Sequence, residues 1–220
     1  MQNAANLIKR TITTLVLAPV VLFTIWSGGI LFKSLILGIC AVMMIEMVNI
    51  SFHAGAKFSR IKSVIFSAFG VTYILIASVC IIAIRDVEPF GMELSYWLFL
   101  TVWSVDVGAY VFGNIIGGPK LLPVVSPTKT WSGLIGGCAF AVLVGACMTA
   151  IMPSITPRYI FLSGVTAFVA QCGDLLESFV KRIVKVKDSG NILPGHGGML
   201  DRMDGLMLAA IFVCLVLSVM

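Results

Sequence analysis

Seven apolar runs divide the chain, at about 11 to 26, 30 to 50, 62 to 84, 95 to 117, 131 to 152, 159 to 180 and 204 to 220, with short polar interruptions between them. Each is close to the roughly 20 residues that a helix needs to cross the hydrocarbon core of a bilayer. A helix satisfies every backbone donor and acceptor within a single segment, so each run is read as a transmembrane helix. Ser27-Gly28-Gly29 leaves room only for a tight hairpin between the first two. No internal repeat, inverted symmetry or low-complexity segment interrupts the series.

Polar positions inside the runs fall into stripes. At 100° per residue, Gln171, Asp174, Ser178, Lys181 and Lys185 occupy one face of the sixth run, within about 80°. Asp106, Tyr110, Gly113 and Gly117 share a face of the fourth, where the two glycines make a small-xxx-small pair suited to helix packing. An ionised carboxylate at membrane depth must be paired, bind a cation or face water. Asp174 and Glu177 thus have two readings, an ion pair with Lys181 or, for Asp174, a metal ligand approached by Asp201 and Asp204. Asp106 is either a buried hydrogen-bond partner or a functional acid. Glu46, near one end of the second run, either snorkels or takes part.

The densest polar interruption is Ser178 to Asp204. It holds Lys181, Arg182, Lys185, Lys187, Asp188, His196, Gly197, Gly198, Asp201, Arg202 and Asp204 in an otherwise apolar chain. Glycines around His196 allow positive φ and let backbone amides converge on an anion. Asp201 and Asp204 stand at i and i+3 where the last run begins; they suit an N-cap and first-turn acid, or a metal. Oxygen ligands without a cysteine or histidine cluster favour Mg²⁺, which is typically held through one or two carboxylates and substrate phosphates. A second interruption, Gly117-Gly118-Pro119-Lys120 and Ser126-Pro127-Thr128-Lys129-Thr130-Trp131, places hydroxyls and a lysine at a helix start, a phosphate cradle.

Composition sharpens this picture. Of 220 residues, 59% are apolar and 11% charged, and the mean hydropathy is +1.06, against roughly 25% charged in soluble domains. The chain reads as one integral membrane domain, residues 1-220, with N-terminal helices at about 11-84 and catalytic helices and loops at about 95-220. The net charge of +5 belongs to loops between spans, which argues for membrane orientation rather than nucleic-acid binding. With the N-terminus inside, Lys9, Arg10, Lys57, Arg60, Lys62, Lys120, Lys129, Lys181, Arg182, Lys185, Lys187 and Arg202 lie inside, and only Lys33, Arg85 and Arg158 outside. That asymmetry predicts an N-in, C-out topology with both polar loops facing the cytosol. Cys40, Cys80, Cys138, Cys147, Cys172 and Cys214 all fall in apolar runs, which indicates neither zinc nor a disulfide framework. No small-residue cleavage site follows the first run, so it is kept as a span.

These residues resemble the signature of the phosphatidate cytidylyltransferases, or CDP-diacylglycerol synthases. The pattern Ser-x-apolar-Lys-Arg, Lys-Asp-x-small, Pro/Gly-x-His-Gly-Gly and Asp-Arg-x-Asp is met from Ser178 through Lys181, Arg182, Lys187, Asp188, Gly190, Pro194, His196, Gly197, Gly198, Asp201 and Arg202 to Asp204. Upstream family elements stand at Asp106 to Tyr110, Ser126 to Trp131 and Gln171 to Leu175. The resemblance covers about the C-terminal half. The apolar runs give an all-α polytopic membrane protein of about seven spans, and the resemblance implies an enzyme that joins CTP to phosphatidate, giving CDP-diacylglycerol and pyrophosphate with Mg²⁺. It also implies a monovalent cation such as K⁺, a homodimer, and Asp174 and Asp201 as metal ligands; Asp204 and Asp106 are expected beside them as further ligands or their neighbours. Lys181, Arg182, His196 and Arg202 join Asp174 and Asp201 as the catalytic set. Ser126, Thr128, Lys129, Thr130, Ser178, Lys187, Asp188, Gly197 and Gly198 are the expected substrate contacts. Two rival readings are a CTP-dependent enzyme for an ether lipid or polyprenol, and an ion-coupled transporter using Asp106, Asp174 and Glu46. The expected location is a bacterial inner membrane.

Overall fold

A computed structural model describes residues 2–53, 59–186, 188–190, 192 and 197–219, with side chains from residue 15 onward and, before the first gap, to residue 52. Among them are seven helices and one hairpin: α1 (Gln2–Ser27), α2 (Gly29–His53), α3 (Arg60–Arg85), α4 (Gly91–Ile115), β1 (Lys120–Leu122), β2 (Ser126–Thr130), α5 (Trp131–Ile151), α6 (Arg158–Val184) and α7 (Leu200–Val219). Six, α2 to α7, are long and apolar enough to cross a membrane, and the described apolar part of α1, Leu15–Ser27, is shorter. The protein is therefore a helical, multi-pass membrane protein.

Helix ends depart from the apolar runs where polar residues still suit a helix. α1 begins at Gln2 because its opening residues are mostly good helix formers, although too polar for a span. α6 runs on to Val184, and Lys181 and Arg182 in its last turn complement the helix dipole. Lys185 has φ 57 and lies past the end of the helix, so the polar face expected on α6 stops at Lys181. α7 starts at Leu200 rather than 204, taking Asp201 into its first turn.

Two compact units can be distinguished. The first comprises Met1–Ile82 and Val180–Met203, the second Ala83–Phe179 and Asp204–Met220. In the first, Gly28 (φ 61) and Gly29 (φ 52) make the left-handed turn that reverses the chain between α1 and α2, as their sequence implied. Its core includes Ile25, Phe32, Ile36, Met43, Met47 and Ile74.

The second unit is built on close helix approach. A Cβ on Gly137 would stand 3.0 Å from the Val105 carbonyl, and one on Gly133 would stand 2.9 Å from that of Ala109, so α4 and α5 meet backbone to backbone. Gly113 belongs to this seam, packed against Thr130 and Gly133. Gly117 does not: it lies beyond α4 at φ 63 with open space around it, a turn glycine rather than a packing one. Trp97 is fully buried, donating from Nε1 to Ser163 Oγ at 2.8 Å and meeting the edge of Tyr159 at 5.0 Å. α6 and α7 approach through Gly173 and Gly205, where a Cβ would meet the Asp204 carbonyl at 2.6 Å and the Ala170 carbonyl at 3.0 Å. The stretch expected as a loop before α5 is an antiparallel hairpin, pairing Lys120 with Thr130 and Leu122 with Ser126.

Candidate active site

In the first unit the polar groups converge on Asp201. Its Oδ1 accepts from Lys181 Nζ at 2.6 Å, and its Oδ2 accepts from Ser189 N, Ser189 Oγ and Gly198 N, each at 2.9 Å. The local sequence makes this possible. Gly197 takes φ 85, which a side chain would strain, and delivers the Gly198 amide to the carboxylate. Lys181, from the last turn of α6, and Asp201, from the first turn of α7, are both largely buried, so the ion pair is shielded from water. Lys181 thus has a partner on α7, beyond the acids of its own helix that helical spacing pointed to.

Glu46, from α2, is 2% exposed. Its Oε1 accepts from Met199 N at 3.0 Å and its Oε2 from Leu200 N at 2.8 Å, the two amides that open α7. Ser189 Oγ lies 3.2 Å from the same Oε2. Glu46 therefore does not snorkel. It was legible only as an acid inside an apolar run, because its partners lie 143 to 154 residues away. Ser189 carried no signal beyond its place inside the densest polar stretch.

In the second unit the centre is Asp174. Its Oδ2 pairs with Lys129 Nζ, carried by β2, and Ser178 Oγ donates to Oδ1 at 3.5 Å. Asp204 lies close enough to both Asp174 and Glu177 for their charges to interact. Its Oδ1 also accepts from Gly205 N at 2.7 Å. Glu177 is buried, and the three carboxyls lie near one another where α6 meets α7, with Lys129 paired to Asp174 among them.

Thr130 uses its hydroxyl as the N-cap of α5, accepting from Gly133 N at 3.1 Å. Ser126 is buried, and Thr128 is exposed. Asp106 is exposed on α4, while Arg182, Asp188 and Arg202 are exposed in the first unit. Lys187 and His196 lie outside the described residues.

Among the described residues no group of three or more His, Cys, Asp or Glu is disposed to hold a metal ion by itself. Oxygen donors nonetheless suit Mg²⁺, which is commonly held by one or two carboxylates and completed by substrate phosphates and water. The crowding of Asp174, Glu177 and Asp204 is the charge distribution that a divalent cation relieves.

The family model described as the cytidylyltransferase family matches residues 52–220, reaching back through α3 and so beyond the C-terminal half. A phosphatidate cytidylyltransferase of Brucella suis is 35% identical, over 94% of this chain and 91% of its own. One from Rickettsia bellii is 34% identical over 95% and 90%, and one from Bacillus subtilis is 41% identical over 62% and 52%. With a signature matched in its polar loops and relatives matched along nearly its whole length, the chain belongs to the cytidylyltransferase family.

Proposed function

We propose that this protein is a phosphatidate cytidylyltransferase, which moves the cytidylyl group of CTP onto phosphatidate and releases pyrophosphate. The observation that carries this reading is the 35% identity to a protein of that name across more than nine-tenths of both chains. A phosphate oxygen of phosphatidate attacks the α-phosphorus of CTP, a new P–O bond forms, and the bond to the bridging oxygen breaks as pyrophosphate takes the electron pair. A phosphate monoester is already an anionic nucleophile, so catalysis rests on positioning and on neutralising charge.

The chain's own residues supply both. The Asp201 carboxylate is preorganised by four donors, and Lys181 brings an ammonium to the same point. Lys129 is held against Asp174. We assign phosphate contacts to Lys129, Lys181, Arg182, Lys187 and Arg202, and a hydrogen bond or proton for the leaving pyrophosphate to His196. Asp174, Asp201, Asp204 and Asp106 are the proposed Mg²⁺ ligands or their neighbours; Asp174 and Asp204 have the support of the acidic cluster, and Asp106 rests on the family resemblance. When bound, Mg²⁺ would offset negative charge on the CTP phosphates.

The N-in, C-out orientation, with both polar loops on the cytosolic side of a bacterial inner membrane, is proposed from the charge asymmetry. A homodimer and a monovalent cation such as K⁺ are proposed on the family resemblance.

The deciding experiment is transfer from labelled CTP to phosphatidate by purified protein in detergent, with and without Mg²⁺. CDP-diacylglycerol should form only with the metal, and Asp174→Asn should reduce turnover by roughly a hundredfold or more while the protein stays folded. Product from a different lipid acceptor, and none from phosphatidate, would overturn the substrate.

A further inference from the structure

Glu46 lies before the matched family region, which starts at residue 52, and far from the Ser178 to Asp204 signature. The fold nevertheless closes part of that signature over it. The Ser189 hydroxyl has a single proton and stands between Asp201 Oδ2 at 2.9 Å and Glu46 Oε2 at 3.2 Å, so one O–H serves two carboxylates. Two residues that bracket this contact are glycines with no room for a side chain. A Cβ on Gly190 would fall 2.6 Å from Glu46 Oε1, and one on Gly198 would fall 2.7 Å from Oε2 and 1.9 Å from Ser189 Oγ. The small residue of the Lys-Asp-x-small element and the second glycine of His-Gly-Gly are thus accounted for by a carboxylate on another helix.

We propose that Glu46 is a positioning residue for Asp201. It holds Ser189 and the first turn of α7, and through them fixes which way the Asp201 carboxylate faces. The carboxylate is clamped on its Oδ2 side by Ser189 and Gly198, which leaves Oδ1 turned to Lys181. Both oxygens of Glu46 are needed. Its donors are Met199 N on one oxygen, and Leu200 N with a share of the Ser189 hydroxyl on the other. A glutamine keeps the shape, has one acceptor oxygen, and turns an NH₂ toward a donor. This inference rests on the reading of Asp201 as part of the reaction site.

The test compares wild type, Glu46→Gln, Ser189→Ala and Met43→Ala. Met43 is a buried apolar residue of the same helix, three positions before Glu46. For each, kcat and KM for CTP are measured per folded molecule, and hydrogen exchange is followed by mass spectrometry over residues 197–203. Glu46→Gln should lower kcat roughly tenfold or more with KM for CTP nearly unchanged, since small misplacement of a reacting group is enough. It should also speed exchange at the Met199 and Leu200 amides. Ser189→Ala, which removes one hydroxyl and is the variant better able to fold, should lower kcat without opening the Leu200 amide. Met43→Ala should lower the thermal midpoint and keep kcat per folded molecule. If Glu46→Gln and Ser189→Ala behave like Met43→Ala, with kcat per folded molecule retained, the proposal is overturned. Should wild type make no CDP-diacylglycerol, the functional reading fails separately. The exchange arm uses no substrate, and unchanged protection over residues 197–203 in Glu46→Gln would still overturn the positioning role.

Discussion

Asp201 receives hydrogen bonds on both of its oxygens from groups brought by three different turns of chain. Lys181 is the charged one among them, and the pair is mostly shielded from solvent. Removing one partner of such a pair leaves a poorly hydrated charge, which typically costs about 3 kcal/mol or more. Lys181→Met should therefore lower the thermal midpoint in detergent as well as activity, and an unchanged midpoint would show that the pair adds nothing to the fold. Gly198→Ala makes a different demand. Its methyl group would meet Ser189 Oγ and the backbone N of Gly190, which lies 2.8 Å from the added carbon, and the backbone has little freedom to withdraw. An overpacking loss of about 1–3 kcal/mol is expected together with loss of activity. A stable, fully active Gly198→Ala would mean that this turn is looser than its geometry.

Helices α4 and α5 are joined at the scale of elements by absence of side chains. Gly108, Gly133 and Gly137 let the two backbones approach where lipid offers no hydrophobic drive for association. Gly137→Leu inserts a branched side chain against the Val105 carbonyl and the Ala109 backbone. It should depress the thermal midpoint in detergent by several degrees, whereas Ile135→Leu, on the exposed side of α5, should not. The hairpin matters to the site through the same helix. Thr130 ends β2 and caps α5 in one residue, so the strand register and the helix start together decide where Lys129 stands against Asp174. Hydroxyl and lysine spacing made this segment a candidate, but strand pairing between residues 120 and 130 left only a weak trace in so short a run.

At the scale of the whole molecule, the proposed orientation has a direct consequence. In a cysteine-free background, Asp86→Cys should react with a membrane-impermeant thiol reagent added to intact cells. Thr128→Cys should react only after the membrane is opened. Both positions are exposed, so burial does not confuse the comparison. The reverse labelling would invert the topology and move both polar loops away from the cytosolic nucleotide pool.

The sequence by itself determined the helices and the chemistry. Apolar runs of membrane length admit no other single-segment structure, and the observed helices follow them to within a few residues except at the start of α1, where polar helix-forming residues precede the span. Acids and lysines stood out because charge is costly in an apolar chain. Only the tertiary structure decided partnership. Helical spacing allowed Lys181 to pair with Asp174 or Glu177, yet the fold gives it Asp201 and gives Asp174 the lysine of a distant strand. Glu46 was readable as an unexplained acid, but its acceptance of Met199, Leu200 and Ser189 depends on bringing together residues more than 140 positions apart. Local pattern reports the free energy of a segment in its solvent, whereas pairing across such distances is set by how helices pack.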